Sequence, residues 1–191
     1  MKYINRTYPL FASCGLNCGL CPRYYTAGSS RCPGCAGEGF SEVHPSCGVL
    51  SCCQRKGIEY CFECEEFPCK RYDDAGSTDS FISHRNRLRD LDKAKLIGME
   101  TYEAELNEKV GLLETLLNNY DDGRRKSFYC SATNLLELQD IKSVMNQLDR
   151  LAGEIEQGAP LNLESKIKAA AAVRLFEEMA ALREITLKLR K

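Results

Sequence analysis

Residues 14–69 read CGLNCGLCPRYYTAGSSRCPGCAGEGFSEVHPSCGVLSCCQRKGIEYCFECEEFPC and contain eleven of the chain's twelve cysteines. Three of the gaps between these cysteines are CxxC, a spacing at which a tight turn directs two sulfurs to one point. The density is too high for an ordinary apolar core, which is filled mainly by larger aliphatic and aromatic side chains. The stretch therefore predicts a module that is organised by bound metal.

The rest of the composition sets the context for these thiols. Neither the N-terminus nor any later segment has the pattern of a secretory signal or the roughly 18 apolar residues of a membrane span. We therefore expect a cytoplasmic protein with no membrane partner. Thiols stay reduced in the cytoplasm, so metal binding is the first interpretation of these cysteines and disulfide bonds are the second. The formal net charge of −1 disfavours a nucleic-acid partner, which requires a basic surface.

Two sets of four cysteines have the spacing of zinc sites. The CxxC pairs that begin at Cys18 and Cys32 are separated by ten residues, which is typical of a zinc ribbon with four thiolate ligands. A second set combines Cys47 and Cys52 with the CxxC pair that begins at Cys61. The sequence therefore predicts two zinc ions held by four cysteines each.

Three cysteines of the stretch lie outside these two sets. Adjacent residues rarely point at one ion, so Cys53 receives no assigned role beside Cys52. Cys14 and Cys69 are alternates or additional ligands, because spacing alone does not fix the partition. The predicted metal ligands are Cys14, Cys18, Cys21, Cys32, Cys35, Cys47, Cys52, Cys61, Cys64 and Cys69.

Two further residues have metal-binding chemistry but simpler interpretations. His44, three residues before Cys47, could replace one sulfur, although an exposed loop histidine is the more common case. Cys130 precedes a helix that we expect to begin near Ser131, and a thiol at a helix N-terminus is a candidate ligand or reactive group. The simpler interpretation of Cys130 is a small buried residue.

Iron–sulfur chemistry is the main alternative to zinc. Cys14, Cys18 and Cys21 have the CxxxCxxC spacing of the radical S-adenosylmethionine signature, and Pro22 follows the last cysteine as in some ferredoxins. Leu20, however, stands where radical enzymes usually have an aromatic residue. The later sequence also lacks the alternation of strands and helices that their barrel requires. An electron-transfer or redox protein with an iron–sulfur cluster is therefore the second hypothesis.

The sequence does not favour an enzyme. It has no HExxH or GxSxG motif, and its two histidines leave little capacity for general acid–base catalysis near neutral pH. Closed four-thiolate zinc sites keep no open position for water. We therefore expect a zinc-binding protein with structural metal sites.

The cysteine stretch also contains a series of motifs, which are Cys14-Gly-Leu-Asn-Cys18-Gly-Leu-Cys21-Pro22-Arg-Tyr24, Cys32-x-Gly34-Cys35, Cys47 through Cys52, and Lys56-Gly57-x-x-x-Cys61-x-x-Cys64-x-x-Phe67-Pro68-Cys69. This series resembles the family catalogued as domain of unknown function 3795. A later segment, Tyr120 to Cys130, resembles its longer members, so the resemblance covers about residues 10–150. The resemblance implies a metal-binding module and no particular reaction.

The remaining sequence predicts an all-α region. We expect a small metal-stabilised cysteine-rich module with zinc-ribbon-like knuckles over residues 1–75, followed by a helical region over residues 76–191. Apolar residues at helical spacing predict the helices. The last of them is longer than a small core requires, so we expect a protein partner or a second copy of the chain on its face. The predicted helices cover about residues 80–97, 99–120, 131–151 and 162–190.

Overall fold

A computed structural model describes residues 5–73, 77–155 and 161–191 of the chain. These residues form helices joined by irregular segments, and they contain no strand beyond an isolated bridge between Phe11 and Asn17. The helices are α1 (Phe40–Val43), α2 (Gly48–Lys56), α3 (Arg87–Ile97), α4 (Met99–Asn119), α5 (Lys126–Leu135), α6 (Leu138–Ile155) and α7 (Leu161–Leu182). Four 3₁₀ turns cover Cys18–Leu20, Gly28–Ser30, Cys61–Glu63 and Lys70–Tyr72. A cysteine-rich N-terminal region followed by helices is thus confirmed.

The chain divides into two compact units. The N-terminal unit comprises Met1–Asn107 together with Leu189–Lys191, and the C-terminal unit comprises Glu108–Lys188. The predicted boundary falls on residues 74–76, which lie outside the described residues, and the observed division occurs inside α4 instead.

Buried polar contacts explain why α3 and the start of α4 belong to the N-terminal unit. The Tyr102 hydroxyl of α4 donates to Asn17 Oδ1 at 2.9 Å, and Asn17 Nδ2 donates to Asp90 Oδ2 of α3 at 2.8 Å. The rings of Phe11 and Tyr102 are 4.5 Å apart. Arg87 Nε also donates to the carbonyl of Cys14 at 3.1 Å. These contacts join both helices to the segment that carries the first cysteines.

The first predicted helix, 80–97, begins later than expected, at Arg87. The Asp79 carboxylate accepts hydrogen bonds from Ser83 Oγ and from the backbone N–H of His84, which stabilise a turn where helix was predicted. Short side-chain bonds of this kind compete with helix formation. The prediction for residues 80–86 was therefore wrong.

The last predicted helix, 162–190, ends at Leu182. Glu184 adopts a left-handed φ of 55°, and the backbone N–H groups of Ile185 and Glu184 bond the carbonyls of Ala180 and Ala181. This is the Schellman pattern that closes helix C-termini, here without the usual glycine. Arg190 then hydrogen-bonds Asp79 through its backbone and its side chain.

The predicted helix 131–151 is two helices, α5 and α6. Leu136 between them is extended, with φ −85° and ψ 153°, and its carbonyl accepts a bond of 2.7 Å from Lys109 Nζ. The α5 helix also begins before Ser131, because Asp121 Oδ1 accepts the backbone N–H groups of residues 123–125. Cys130 therefore lies inside α5 and not at a helix N-terminus.

The core of the C-terminal unit forms where α7 packs on α6 and α5. Phe176 is fully buried, and its ring lies 6.2 Å from that of Tyr129 and 6.5 Å from that of Phe128. Three alanines of α7 share this buried face, namely Ala169, Ala172 and Ala180. Over the described part of the chain, every helix is too short or too polar to cross a bilayer.

Candidate metal centre

All twelve cysteines lie in described residues, and each is outside any disulfide. Eleven belong to the N-terminal unit. Cys130 belongs to the C-terminal unit and is 1% exposed, which agrees with its simpler interpretation as a small buried residue. The candidate site is therefore confined to the N-terminal unit.

The first cysteine group surrounds Cys18, whose thiol interacts electrostatically with those of Cys14, Cys21, Cys32 and Cys35. Cys47 joins this group through interactions with Cys14 and Cys35. Most of these side chains pack in one cluster with Phe40 and Leu50. The first cysteine group thus consists of Cys14, Cys18, Cys21, Cys32, Cys35 and Cys47.

Local backbone structure explains how the CxxC pairs come together. The 3₁₀ turn at Cys18–Leu20 ends with a hydrogen bond of 3.1 Å from the N–H of Cys21 to the carbonyl of Cys18. In the third pair, the N–H of Cys64 bonds the carbonyl of Cys61 in the same way, also at 3.1 Å. Both turns bring the first and last cysteine of the pair to the same side.

The second CxxC pair depends on a glycine. Gly34 has a φ of +91°, which disfavours any residue with a Cβ atom. A Cβ at this position would also lie 2.4 Å from the carbonyl oxygen of Pro9, which itself accepts the N–H of Cys35. Position 34 therefore requires glycine both for its conformation and for the close approach of residues 9 and 35.

The second cysteine group lines one cavity of about 200 Å³. Its members are Cys52, Cys53, Cys61, Cys64 and Cys69. The sulfurs of Cys53 and Cys61 lie 3.5 Å apart, and Lys56 Nζ lies 3.1 Å from the Cys64 sulfur. Cys14 also interacts with Cys53 and so lies between the two groups. The two groups together contain all eleven N-terminal cysteines.

This arrangement differs from the predicted second set in three positions. Cys47 belongs to the first group, where its sulfur accepts the N–H of Leu50 at the start of α2. Cys69 takes its place in the second group. Cys53, which received no role from the sequence, is 2% exposed and faces Cys61. The sequence does contain a signal that Cys53 is buried, which is its three-residue spacing from Leu50. Residues at this spacing share one face of a helix, and both lie on the buried face of α2.

The electrostatics of the two groups differ. Burial raises the pKa of Cys14 to about 11, and burial together with the neighbouring thiols raises the pKa of Cys18. In the second group, the hydrogen bond with Cys53 lowers the pKa of Cys61 to about 6 and raises the pKa of Cys53. Several thiolates in one group repel each other, so a bound cation is the natural means of stabilising them together.

Each group also faces one buried polar side chain. The Arg6 guanidinium donates Nε to Glu59 at 3.2 Å and Nη1 to the carbonyl of Phe11 at 2.6 Å, and it interacts with Cys35. The Tyr72 hydroxyl interacts with Cys61. Within the described residues, neither Arg6 Nη2 nor the Tyr72 oxygen has a hydrogen-bond partner. Each group thus lies beside a buried donor that is left without an acceptor.

His44 and His84 lie outside the two groups. His44 is exposed, stacks on Phe40 with 4.4 Å between ring centres, and contacts the carbonyl of Pro45 through Nδ1. His84 Nε2 contacts Ser80 Oγ at 3.0 Å. Burial and the nearby Arg87 lower the pKa of His84.

The donor chemistry fits a thiolate-bound metal. Two thiolates that are each about 2.3 Å from one tetrahedral ion are about 3.8 Å apart, close to the Cys53–Cys61 separation of 3.5 Å. The described residues nevertheless place no three or more Cys, His, Asp or Glu side chains in a geometry that would hold an ion. The chain therefore offers the correct donors and one suitable pair, without a complete coordination shell.

Fold and site together define a cysteine-rich module joined to a helical region. Residues 10–74 match the family model described as "Protein of unknown function (DUF3795)". This match confirms the resemblance over the cysteine stretch, while the predicted extension to about residue 150 lies outside it. No curated protein and no solved structure matches the chain. The family match names the module without naming a metal.

Proposed function

We propose that this protein binds two zinc ions, one in each cysteine group, and that these ions stabilise the N-terminal unit. The observation that carries the proposal is the 3.5 Å separation of the Cys53 and Cys61 sulfurs. These residues come from different elements, α2 and the 3₁₀ turn Cys61–Glu63. Two thiols from separate elements that converge to this distance are typical of ligands to one ion.

A structural role is supported by the composition of the module. A segment of about 60 residues buries too little apolar surface to be stable alone, and metal binding can supply the missing folding free energy. The core of the first group consists largely of small residues and cysteines beside Phe40 and Leu50. Four-thiolate zinc sites are also closed to water, so we propose no catalytic role.

Zinc-ribbon-like knuckles are part of this proposal. The turns at Cys18–Leu20 and Cys61–Glu63 have the same hydrogen bond from the last to the first cysteine of each pair. Gly34 allows the pair at Cys32 and Cys35 to turn as well. These three turns support knuckles in both groups.

An iron–sulfur protein is the second candidate, and the cavity of the second group favours it. Five cysteines line about 200 Å³, and three cations, Lys56, Lys70 and Arg71, lie around the same space. Cysteines that bind a four-iron cluster each hold a different iron atom, so their sulfurs stand further apart than two ligands of one ion. The Cys53–Cys61 pair therefore supports zinc over the cluster.

Metal content of Cys53→Ser tests the proposal directly. We expect the purified wild-type protein to be colourless with about two zinc ions per chain. Cys53→Ser is expected to bind about one, because the second group loses a ligand. Cys130→Ser is the matched control, since it removes a buried thiol of the C-terminal unit and is expected to retain both ions.

Iron in the purified protein would contradict the proposal that it binds zinc. A brown protein that absorbs near 400 nm and contains iron after purification without oxygen would support the cluster instead. Equal metal content in Cys53→Ser and wild type would contradict the role of Cys53 as a ligand and the argument drawn from its distance to Cys61.

We also propose a cytoplasmic location, because a reducing compartment keeps eleven thiols available for metal. A partner or second copy on α7 remains a prediction. Its apolar face is largely covered by α5 and α6, and Leu182, at 71% exposed, is the large apolar side chain that α7 leaves accessible at its C-terminal end.

A further inference from the structure

The sulfurs of Cys53 and Cys61 are close enough to form a bond after a small movement. They lie 3.5 Å apart, and an S–S bond is about 2.0 Å long, so the two atoms need to approach by about 1.5 Å. Both thiols are outside any disulfide in the structure. The same separation that suits two ligands of one ion therefore also suits the two partners of a disulfide.

The end of α2 explains how Cys61 returns to Cys53. Gly57 has a φ of +67° and closes the helix, and the N–H of Ile58 bonds the carbonyl of Cys53 at 3.1 Å. The N–H of Cys61 then bonds the carbonyl of Ser13 at 3.0 Å. Backbone hydrogen bonds thus hold both cysteines in place, and the remaining approach is a movement of their side chains.

The two thiols differ in their access to solvent. Cys53 is 2% exposed, whereas Cys61 is half-buried, and both line the cavity of about 200 Å³. A water molecule occupies about 30 Å³ in the liquid, so this cavity admits a molecule as small as hydrogen peroxide. Cys61 is therefore the thiol that a dissolved oxidant reaches first, and Cys53 is the thiol in contact with it.

We propose that Cys53 and Cys61 are an oxidation site, at which hydroperoxides convert the two thiols into a reversible intrachain disulfide. Disulfides of proteins in reducing compartments are usually transient and catalytic or redox-sensing. The disulfide itself requires no metal. Its consequence for zinc rests on the proposed function: a sulfur in a disulfide is no longer a thiolate ligand, so the disulfide and the zinc ion of the second group exclude each other.

The oxidation proceeds in two balanced steps. The Cys61 sulfur attacks one oxygen of the hydroperoxide, the O–O bond breaks, and the other oxygen leaves and is protonated to water or an alcohol. The Cys53 sulfur then attacks the sulfur of the Cys61 sulfenic acid, the S–O bond breaks, and the oxygen leaves as water with the Cys53 proton. The two thiols thereby lose two electrons, which the hydroperoxide accepts.

The structure specifies a partner that differs from the CxxC pattern. Cys61 and Cys64 have the spacing of redox-active dithiols, but the Cys64 sulfur contacts Lys56 Nζ at 3.1 Å. Cys52 precedes Cys53 in α2, and successive residues of a helix are rotated by about 100°, so the two side chains point in different directions. The printed sulfur contact of Cys61 is with Cys53.

The test is a disulfide map of the full chain, purified without oxygen and treated with about one equivalent of hydrogen peroxide. Remaining thiols are alkylated before digestion. Trypsin cuts between the two cysteines, so Cys53 belongs to the peptide 32–55 and Cys61 to the peptide 57–70. We expect these two peptides to be linked, and dithiothreitol to separate them. A disulfide within the peptide 57–70, which Cys61 and Cys64 would form, overturns the proposal.

Two variants identify the cysteine of the first peptide. Cys53→Ser is expected to abolish the link between the peptides. Cys52→Ser is the matched control, because it removes the adjacent thiol of the same peptide and is expected to retain the link. A link that persists in Cys53→Ser, or that is lost in Cys52→Ser, overturns the assignment. Fragmentation of the linked peptides from the unsubstituted protein locates the bond directly and covers variants that do not fold.

A chromophoric zinc indicator in the same reaction tests the connection to the metal. We expect about one of the two zinc ions to be released as the disulfide forms, and to bind again after reduction. A linked protein that keeps both ions overturns the mutual exclusion of disulfide and zinc. A chain that is purified without zinc but forms the same disulfide contradicts the proposed function and leaves the oxidation site standing.

Discussion

Replacing Asp79 by asparagine is expected to destabilise the N-terminal unit by about 3 kcal/mol. The Asp79 side chain is 0% exposed, and its two oxygens accept bonds from the backbone N–H of Arg190 at 2.8 Å and from its Nη2 at 3.0 Å. The same carboxylate accepts Ser83 Oγ and the N–H of His84. Asparagine keeps the size of the side chain but removes its charge and replaces one acceptor by a donor.

The magnitude follows from the exposure of the two partners. Breaking a buried ion pair by removing one charge costs about 3–5 kcal/mol, because the other charge stays buried. The Arg190 side chain is 36% exposed and can turn to water, so we expect the lower end of this range. A loss of about 3 kcal/mol corresponds to about a hundredfold change in the unfolding equilibrium.

Hydrogen exchange of peptides from α3 measures this change within the N-terminal unit, so it does not require the whole chain to unfold in one step. We expect these amides to exchange about a hundredfold faster in Asp79→Asn than in wild type. Asp92→Asn, an exposed carboxylate on α3, is the matched control and should change stability by less than about 0.5 kcal/mol. Unchanged exchange in Asp79→Asn, or an equal change in the control, would refute the reasoning.

The same pair predicts a pH dependence. Burial raises the pKa of Asp79, but the hydrogen bonds and the charge of Arg190 outweigh it and hold the pKa below its ordinary value of about 4. A lowered folded-state pKa contributes stability that is complete above the unfolded pKa and is lost as the pH falls through the folded value. The difference in stability between wild type and Asp79→Asn should therefore be constant near neutral pH and shrink below about pH 4.

Four further changes have defined outcomes. Phe176→Ala should lower the free energy of unfolding of the C-terminal unit by about 3–5 kcal/mol in thermal denaturation, whereas the exposed Leu182→Ala on the same helix should change it by less than about 0.5 kcal/mol. Lys109→Met should cost about 1–3 kcal/mol in urea unfolding, because the buried carbonyl of Leu136 loses its donor. Gly34→Ala should reduce the zinc content, whereas Gly28→Ala, with a φ of +76° but open space for a Cβ, should retain it, and equal losses would contradict the role of the Pro9 contact. A strong chelator should unfold the cysteine module while circular dichroism of the C-terminal helices persists, and full retention of N-terminal structure would contradict metal stabilisation.

The sequence predicts helices well where the pattern is local. The α4 helix was expected over 99–120 and covers Met99–Asn119, because its apolar residues repeat with helical spacing over six turns. The break between α5 and α6 was missed because its cause is distant in sequence. Lys109 fixes the break at Leu136 from 27 residues away, and no proline or glycine marks it. The C-terminal segment after α7 likewise follows its contact with Asp79, 111 residues earlier.

The candidate site, like the helices, was predicted from the sequence only where the pattern is local. The density and CxxC spacing of the cysteines predict that they gather, and the two groups consist of the ten predicted ligands and Cys53. That these ten residues bind metal stays a prediction. Which group each cysteine joins depends on tertiary structure. Cys47, which precedes α2, and Cys53, which lies within α2, belong to different groups. The burial of Arg6 Nη2 and of the Tyr72 hydroxyl has no sequence signature, because it depends on the tertiary structure around them.

The most direct test is the metal content of the full chain purified without oxygen, combined with X-ray absorption at the metal edge. Zinc binding by both cysteine groups predicts about two zinc ions per chain, each surrounded by sulfur at about 2.3 Å. Iron with inorganic sulfide, or a chain whose cysteines are paired in disulfides without metal, would contradict it.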